Sequence, residues 1–337
     1  MTVARTNPAD TKLIVCVWHP FPQWRADEMM PATIRKRWPG MRVVHLPDYD
    51  RLNEEIPDAD IYVGASLRPD QFAHAKKLKW IHSTAAGVNQ LMYPELRNSG
   101  VLITNPGGLF SPGMAEHVIG MMVLLARNFM DSVRYQDKSI WGQNEVTSIP
   151  GPFTELSGET MLIVGYGSIG REIAKRARCF DMKIWGMTRS GKGDESLVDK
   201  ILPISELDAA LPHADWVVLS APDTPETHKL FNADRFARMK PGARLINMGR
   251  GTIIDEPAFV NALNSSQIRG AAIDVATVEP VQPDSPLWKA KNLFITPHTA
   301  GISDRLWPRE TEILMDLLDR WFSNREMFNV VDVSAGY

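Results

Sequence analysis

Short apolar runs recur along this chain with helical or loop stretches between them, and they are continuous rather than alternating. LIVCVW (13–18), RVVHL (42–46), DIYVGA (60–65), LKWIHS (78–83) and VLITN (101–105) form a first series. MLIVG (161–165), KIWGM (183–187), DWVVLSA (215–221), ARLINMG (243–249), AAIDVA (271–276) and LFITPH (293–298) form a second. A strand apolar on both sides has to be covered on both faces, which is the condition of a parallel sheet flanked by helices. Two series therefore predict two separate α/β sheets, and a length of 337 residues agrees with two domains.

The stretch between the series, SPGMAEHVIGMMVLLARNFMDSVRYQDK, opens with Ser111 as an N-cap and Pro112 at the first helical position. Its middle, Val118 to Ala126, is apolar almost all round and predicts a helix covered on more than one side, by the inter-domain core or by a second subunit. After the second series, the segment from Ile302 carries Ile313, Leu314, Leu317, Leu318, Trp321 and Phe322 at helical spacing, an apolar stripe expected to return to the first domain. The expected division is a discontinuous first domain, 1–107 with 299–337, and a second domain, 108–298, with a cleft between the two sheets.

The bulk composition excludes several classes. A net charge of −3 gives no basic field for nucleic acid or an anionic membrane surface. No run approaches the roughly 20 apolar residues of a membrane span, and the run Leu13 to Trp18 is too short for a signal-peptide core. Cys16 and Cys179 read as buried reduced thiols rather than a disulfide, which points to the cytoplasm. The histidines show no metal-ligand spacing with cysteine or acids, so no metal site is expected. His117, beside Glu116 in the apolar helix, reads as a satisfied core or interface residue.

MLIVGYGSIGREIAKRARCF is a strand, a glycine-rich turn and a helix in that order. Gly165, Gly167 and Gly170 fit G-x-G-x-x-G, so the helix N-terminus, with Ser168 and Ile169 in its first turn, faces a pyrophosphate with free amides. Thr188 ends the next strand, where an acid would hold the ribose hydroxyls of NAD. This chain instead offers Thr188, Arg189 and Ser190, two hydroxyls and a guanidinium suited to a 2′-phosphate, with Lys192 adding charge. NADP(H) is expected over NAD(H); the alternative is that Arg189 is a solvated turn residue and cofactor choice is loose.

Three ionisable residues follow at three successive strand ends: Arg250 in INMGRG, Glu279 in AAIDVATVEP and His298 in FITPHTAG. Reduction of a 2-oxo acid needs a proton donor for the developing alkoxide and a cation for the carboxylate and carbonyl. A carboxylate-backed histidine supplies the first and arginine's planar fork the second. Taken singly, each has a blander reading: a turn acid before proline, a loop histidine, a helix-capping arginine. Beside a nucleotide turn they make one chemistry.

Through VGYGSIG, PDTPETHKLFNADRFARMKPGARLINMGRG, IDVATVEP and TPHTAG, the chain resembles the D-isomer-specific 2-hydroxyacid dehydrogenase family over nearly its whole length. The resemblance implies an α/β fold of two doubly wound parallel-sheet domains, a Rossmann coenzyme domain and a flavodoxin-like substrate domain. It assigns the family's Arg, Glu and His to Arg250, Glu279 and His298. It also implies that Asp274 holds the nicotinamide carboxamide and that amides near Ala86, Gly87 and Val88 receive the substrate carboxylate. The ligand partners are then a small 2-oxo or 2-hydroxy acid and a dinucleotide, and a homodimer is expected.

The chain departs from the family in places. Thr188 replaces the usual aspartate of NAD-dependent members, as in the NADPH-dependent glyoxylate/hydroxypyruvate reductase-like branch, and Asn89 replaces the aspartate of G-V-D. Glu279 in place of glutamine argues against the formate-oxidising branch, and no regulatory domain is expected after Tyr337. Trp18, Phe21, Trp24, Trp141 and Trp307 either line a pocket for a larger 2-oxo acid or pack loops and joints. A dinucleotide-sensing corepressor or scaffold is the rival reading, and oxidation of an inorganic anion such as phosphite a third.

Overall fold

The structure, a computed structural model, describes residues 5–148 and 153–333. Met1 to Ala4 of the N-terminal segment and Tyr337 lie outside the described residues. The chain divides into two compact units, Met1–Phe110 with Ile302–Tyr337, and Ser111–Gly301.

The first unit holds a five-stranded, all-parallel sheet: β1 (Lys12–Cys16), β2 (Arg42–Leu46), β3 (Ile61–Val63), β4 (Trp80–His82) and β5 (Leu102–Thr104), in the order β2-β1-β3-β4-β5. This is the flavodoxin-like strand order. Successive side chains of β1 go to opposite apolar layers, which is why the run LIVC has no polar member. Leu13 and Val15 pack in one layer with Trp80, Leu314, Leu317, Leu318 and Trp321. Ile14 and Cys16 pack in the other with Tyr62, Ile81 and Ile103. The helix Leu306–Phe322 thus completes one face of this sheet, and the indoles of Trp80 and Trp321 stack at 5.3 Å between centroids.

One polar chain runs through this otherwise apolar layer. The Trp80 indole N–H donates to Thr104 Oγ1 at 2.9 Å, and Thr104 Oγ1 lies 2.8 Å from His82 Nδ1. His82 Nε2 lies 3.0 Å from Glu310 Oε1, with both side chains fully buried.

The second unit holds seven parallel strands: β6 (Thr160–Val164), β7 (Lys183–Thr188), β8 (Lys200–Pro203), β9 (Trp216–Leu219), β10 (Arg244–Asn247), β11 (Gly270–Ile273) and β12 (Leu293–Ile295). Their order is β12-β11-β10-β9-β6-β7-β8, so the winding reverses between β6 and β9. Doubly wound sheets bind ligands outside the carboxyl ends of the strands at such a reversal. β8 is absent from the expected strands: it is a half-exposed edge strand, KILP, too short and too polar at one end to register as a buried run. The helix Ser111–Ala126 buries Ala115, Val118, Met121, Met122, Leu125 and Ala126 against the layer that includes Met161, Ile163, Ile173 and Ile184. No described helix is long and apolar enough to cross a membrane.

One expectation about the thiols fails. Cys16 is buried, but Cys179 is exposed, because the helix beginning at Ser168 ends at Ala177 and a 3₁₀ turn, Arg178–Phe180, rotates the next residues outward. Phe180, in the same turn, is exposed as well. Burial pushes the Cys16 thiol up to about 12, and only the thiolate is the nucleophile. Iodoacetamide at pH 8 should label Cys179 alone in the native protein and both cysteines in denaturant, as read by peptide mass spectrometry; native labelling of Cys16 would contradict the burial.

Candidate active site

Each glycine of the turn after β6 has its own spatial reason. Gly165 has a φ of +101°, and a Cβ there would meet Ala221 N, just past β9, at 2.5 Å. A Cβ on Gly170 would meet Gly165 O at 2.7 Å and Ile163 Cγ2 at 3.0 Å. These two glycines let turn, helix and strand close on one another. Gly167 differs, because a Cβ there would meet nothing within 4 Å. It offers no side-chain cap to the helix Ser168–Ala177, so open space lies beside the first-turn amides of Ser168, Ile169 and Gly170. Free amides at a helix N-terminus with room in front of them suit a dinucleotide pyrophosphate.

β7 ends at Thr188, whose hydroxyl donates to Lys192 O at 3.1 Å and closes a short loop. Gly191 makes that loop tight: its φ is +69° and a Cβ would meet Pro203 Cδ at 2.9 Å. Arg189, Ser190 and Lys192 are exposed on it. Glu226, in the loop after β9, is held below the usual carboxylate range by the Thr224 hydroxyl first and its own backbone N–H next, with the positive charge of Arg189 adding to them.

The loops after β10, β11 and β12 form one assembly. Asn247, fully buried at the end of β10, clamps the MGRG turn by accepting from Gly249 N at 3.0 Å and donating to Arg250 O at 3.0 Å. Gly251 then lies flat on the β11 loop, where a Cβ would fall 1.9 Å from the carbonyl carbon of Ala276. That contact sets the turn carrying Arg250 against the loop carrying Glu279. Arg250 itself is exposed; its Nη1 donates to Gly249 O at 2.8 Å, and it has no ion-pair partner among the described residues.

Glu279 Oε2 lies 2.6 Å from His298 Nδ1, and Glu279 Oε1 accepts from Ala276 N at 2.9 Å. With both oxygens engaged, the carboxylate cannot rotate away from the imidazole. His298 Nε2 makes no hydrogen bond among the described residues, and the ring is more than half exposed. The His298 backbone is left-handed, with φ +54°, and its N–H donates to Asp274 O at 2.9 Å. A left-handed non-glycine residue persists only where its surroundings over-determine it.

Asp274 does most of that determining. It is buried, and Oδ1 accepts from Thr296 Oγ1 at 2.5 Å and Thr299 N at 2.9 Å, while Oδ2 accepts from Ala300 N at 3.1 Å. The residues on either side of His298 are therefore tied to one carboxylate. Asn247, Gly251 and Thr296 escaped the reading from sequence. The signal for Asn247 was a lone amide at the end of an apolar strand; Gly251 and Thr296 act only through contacts distant in the chain.

Ala86, Gly87 and Val88 lie in the other unit, in the bend after β4. Asn105 donates to Ala86 O at 3.1 Å and Gln90 to Gly87 O at 3.1 Å. The N–H groups of these three residues have no hydrogen bond among the described residues. Of the aromatic residues singled out in the sequence, Trp24 packs on Phe110 at 6.1 Å between centroids, and the Trp307 indole donates to Gln23 O at 3.1 Å, so both serve as loop packing. Phe21 is 63% exposed and Trp141 90% exposed. Among the described residues, no group of three or more His, Cys, Asp or Glu is placed to hold a metal ion.

Residues 119–300 match the family model for the D-isomer specific 2-hydroxyacid dehydrogenase, NAD binding domain. A glyoxylate reductase of Pyrococcus furiosus is 32% identical over 256 residues, which is 74% of this chain and 75% of that protein. A D-isomer specific 2-hydroxyacid dehydrogenase family protein from Aeromonas salmonicida superposes with a TM-score of 0.81 at 31% identity, over 96% of this chain and 99% of that one. An NADPH-dependent glyoxylate/hydroxypyruvate reductase from Sinorhizobium meliloti, solved with NADP and sulfate, gives a TM-score of 0.81 at 27% identity, over 97% of this chain and 100% of that one.

The Asp274 assembly can be tested apart from any ligand. Asp274→Ala strands one buried amide, one half-buried amide and a hydroxyl and should lower stability by roughly 3 kcal/mol. Hydrogen exchange at Thr299 and Ala300 should pass from slow to fast; amides as protected in the variant as in the wild type would contradict the role given to Asp274.

Proposed function

The chain belongs to the D-isomer specific 2-hydroxyacid dehydrogenase family, an NAD(P)-dependent oxidoreductase, and on that footing we propose that it reduces a 2-oxo acid to the D-2-hydroxy acid with NADPH as preferred reductant. A bound reduced nicotinamide supplies hydride to the carbonyl carbon. His298 Nε2 gives the proton that the carbonyl oxygen takes up, so the ketone leaves as an alcohol. Glu279, fixed on Nδ1 at 2.6 Å, sets the tautomer and stabilises the imidazolium before transfer. Arg250 presents an unneutralised guanidinium to the substrate carboxylate and carbonyl oxygens. The amides of Ala86, Gly87 and Val88 receive the same carboxylate.

Gly165, Gly167, Ser168, Ile169 and Gly170 hold the pyrophosphate, and Asp274 has lone-pair capacity left on Oδ2 for the carboxamide N–H. Thr188, Arg189 and Ser190 take the 2′-phosphate. The likeness to the Sinorhizobium reductase, which was solved with NADP, supports that preference.

The observation that carries this reading is the imidazole with its second nitrogen open, backed by a glutamate whose loop touches the arginine turn through Gly251. The test is a panel of glyoxylate, hydroxypyruvate, 2-oxobutyrate and phenylpyruvate with both reduced cofactors. His298→Ala should lower turnover by ~10² to 10⁴; near-normal turnover, or tight dinucleotide binding with no oxidation by any acid, would overturn the enzymatic reading. kcat/KM should favour NADPH, and Arg189→Ala should weaken NADPH use by about tenfold while sparing NADH; equal efficiency with the two cofactors in the wild type would remove the preference.

A further inference from the structure

His117 has no part in the chemistry above, yet it reaches the same loop. It projects from the helix Ser111–Ala126, and its Nε2 lies 3.0 Å from Thr296 Oγ1 and 4.0 Å from Asp274 Oδ1. Thr296 Oγ1 in turn lies 2.5 Å from Asp274 Oδ1. Donor and acceptor capacity gives this triplet a direction. Asp274 already accepts a backbone N–H on each oxygen, so the threonine hydroxyl gives its one proton to the carboxylate. Thr296 can then only accept from the imidazole, which places a proton on His117 Nε2. The chain reads His117 N–H to Thr296 O–H to Asp274, whose carboxylate also accepts from the amides of Thr299 and Ala300.

A packing histidine would need no such donor. The ring is partly open to solvent, and its Nδ1 has no partner among the described residues, so Nε2 is the nitrogen the fold uses. Without that donor the Thr296 hydroxyl is held by Asp274 alone, and residues 296–300 around the left-handed His298 lose one of the two bonds that fix the Thr296 side chain.

We propose that His117 is a positioning residue for the reaction: by donating through Nε2 to Thr296 it locks the Thr296 hydroxyl on Asp274 and holds the 296–300 loop in the shape that presents His298. This rests on His298 being the proton donor. His117 does not touch the reacting atoms; it acts through two intermediaries, so its loss alters geometry rather than chemistry.

The test uses the full chain with His117→Leu, His117→Gln and Thr296→Val. Its readouts are kcat on the best 2-oxo acid of the panel, the NADPH dissociation constant by fluorescence titration, the melting temperature, and hydrogen exchange at Thr299 and Ala300. His117→Leu should lower kcat by about tenfold, the scale on which small misplacements act. The dissociation constant should stay within about twofold, and exchange at the two amides should quicken. Glutamine, whose amide can donate from near the place of Nε2, should restore most of the loss, and Thr296→Val should reproduce the leucine variant without adding to it in the double variant.

A kcat for His117→Leu within about twofold of wild type, or equal losses in the leucine and glutamine variants with a matching fall in melting temperature, would overturn the proposal. His298→Ala serves as control. If it is inactive while His117→Leu is unaffected, only this inference falls; if it too turns over normally, the proton-donor assignment fails and this inference with it.

Discussion

The buried carboxylate of Asp274 is the point from which the carboxyl ends of β11 and β12 are organised. A carboxylate taken out of water is tolerated only where donors replace the water it lost. Here those donors are a threonine hydroxyl and two backbone amides, all from the loop that carries His298. The loop cannot leave without taking those three donors away from the charge. The backbone carbonyl of the same residue takes the His298 N–H, so one residue fixes both the path of the loop and its left-handed residue.

The rest of the site is held by contacts that exclude side chains. Gly165 against Ala221 places the glycine turn at the winding reversal between β6 and β9, and Gly251 against Ala276 joins the arginine turn to the glutamate loop. In both cases backbone meets backbone, which gives little freedom for the two pieces to shift. Gly167 is the exception. It alone of the three turn glycines faces open space, so no contact within the fold requires its lack of a side chain.

Much of this was legible in the sequence because parallel strands covered on both faces have a run of apolar residues with no polar interruption, and the ends of those runs mark where a site can be. Thr188, Arg250, Glu279 and His298 were conspicuous as polar groups at run ends. The edge strand β8 was not legible, since one side of an edge meets water and the apolar signal halves. Cys179 was misread because helical periodicity does not announce where a helix stops. His117 and Thr296 were opaque for a different reason: each is ordinary in its own neighbourhood, and its partner comes from a remote part of the chain.

The helix Leu306–Phe322 reaches the first sheet through more than apolar contact, because Glu310 meets the imidazole of His82 at the end of β4. Peeling that helix away would leave an imidazole in a hydrocarbon layer without its carboxylate, as well as an uncovered Trp80. The sheet that starts at Lys12 is therefore covered on one face only once the helix Leu306–Phe322, far along the chain, has been made. On a ribosome, the second unit, whose residues are contiguous, has every element it needs before the first one does.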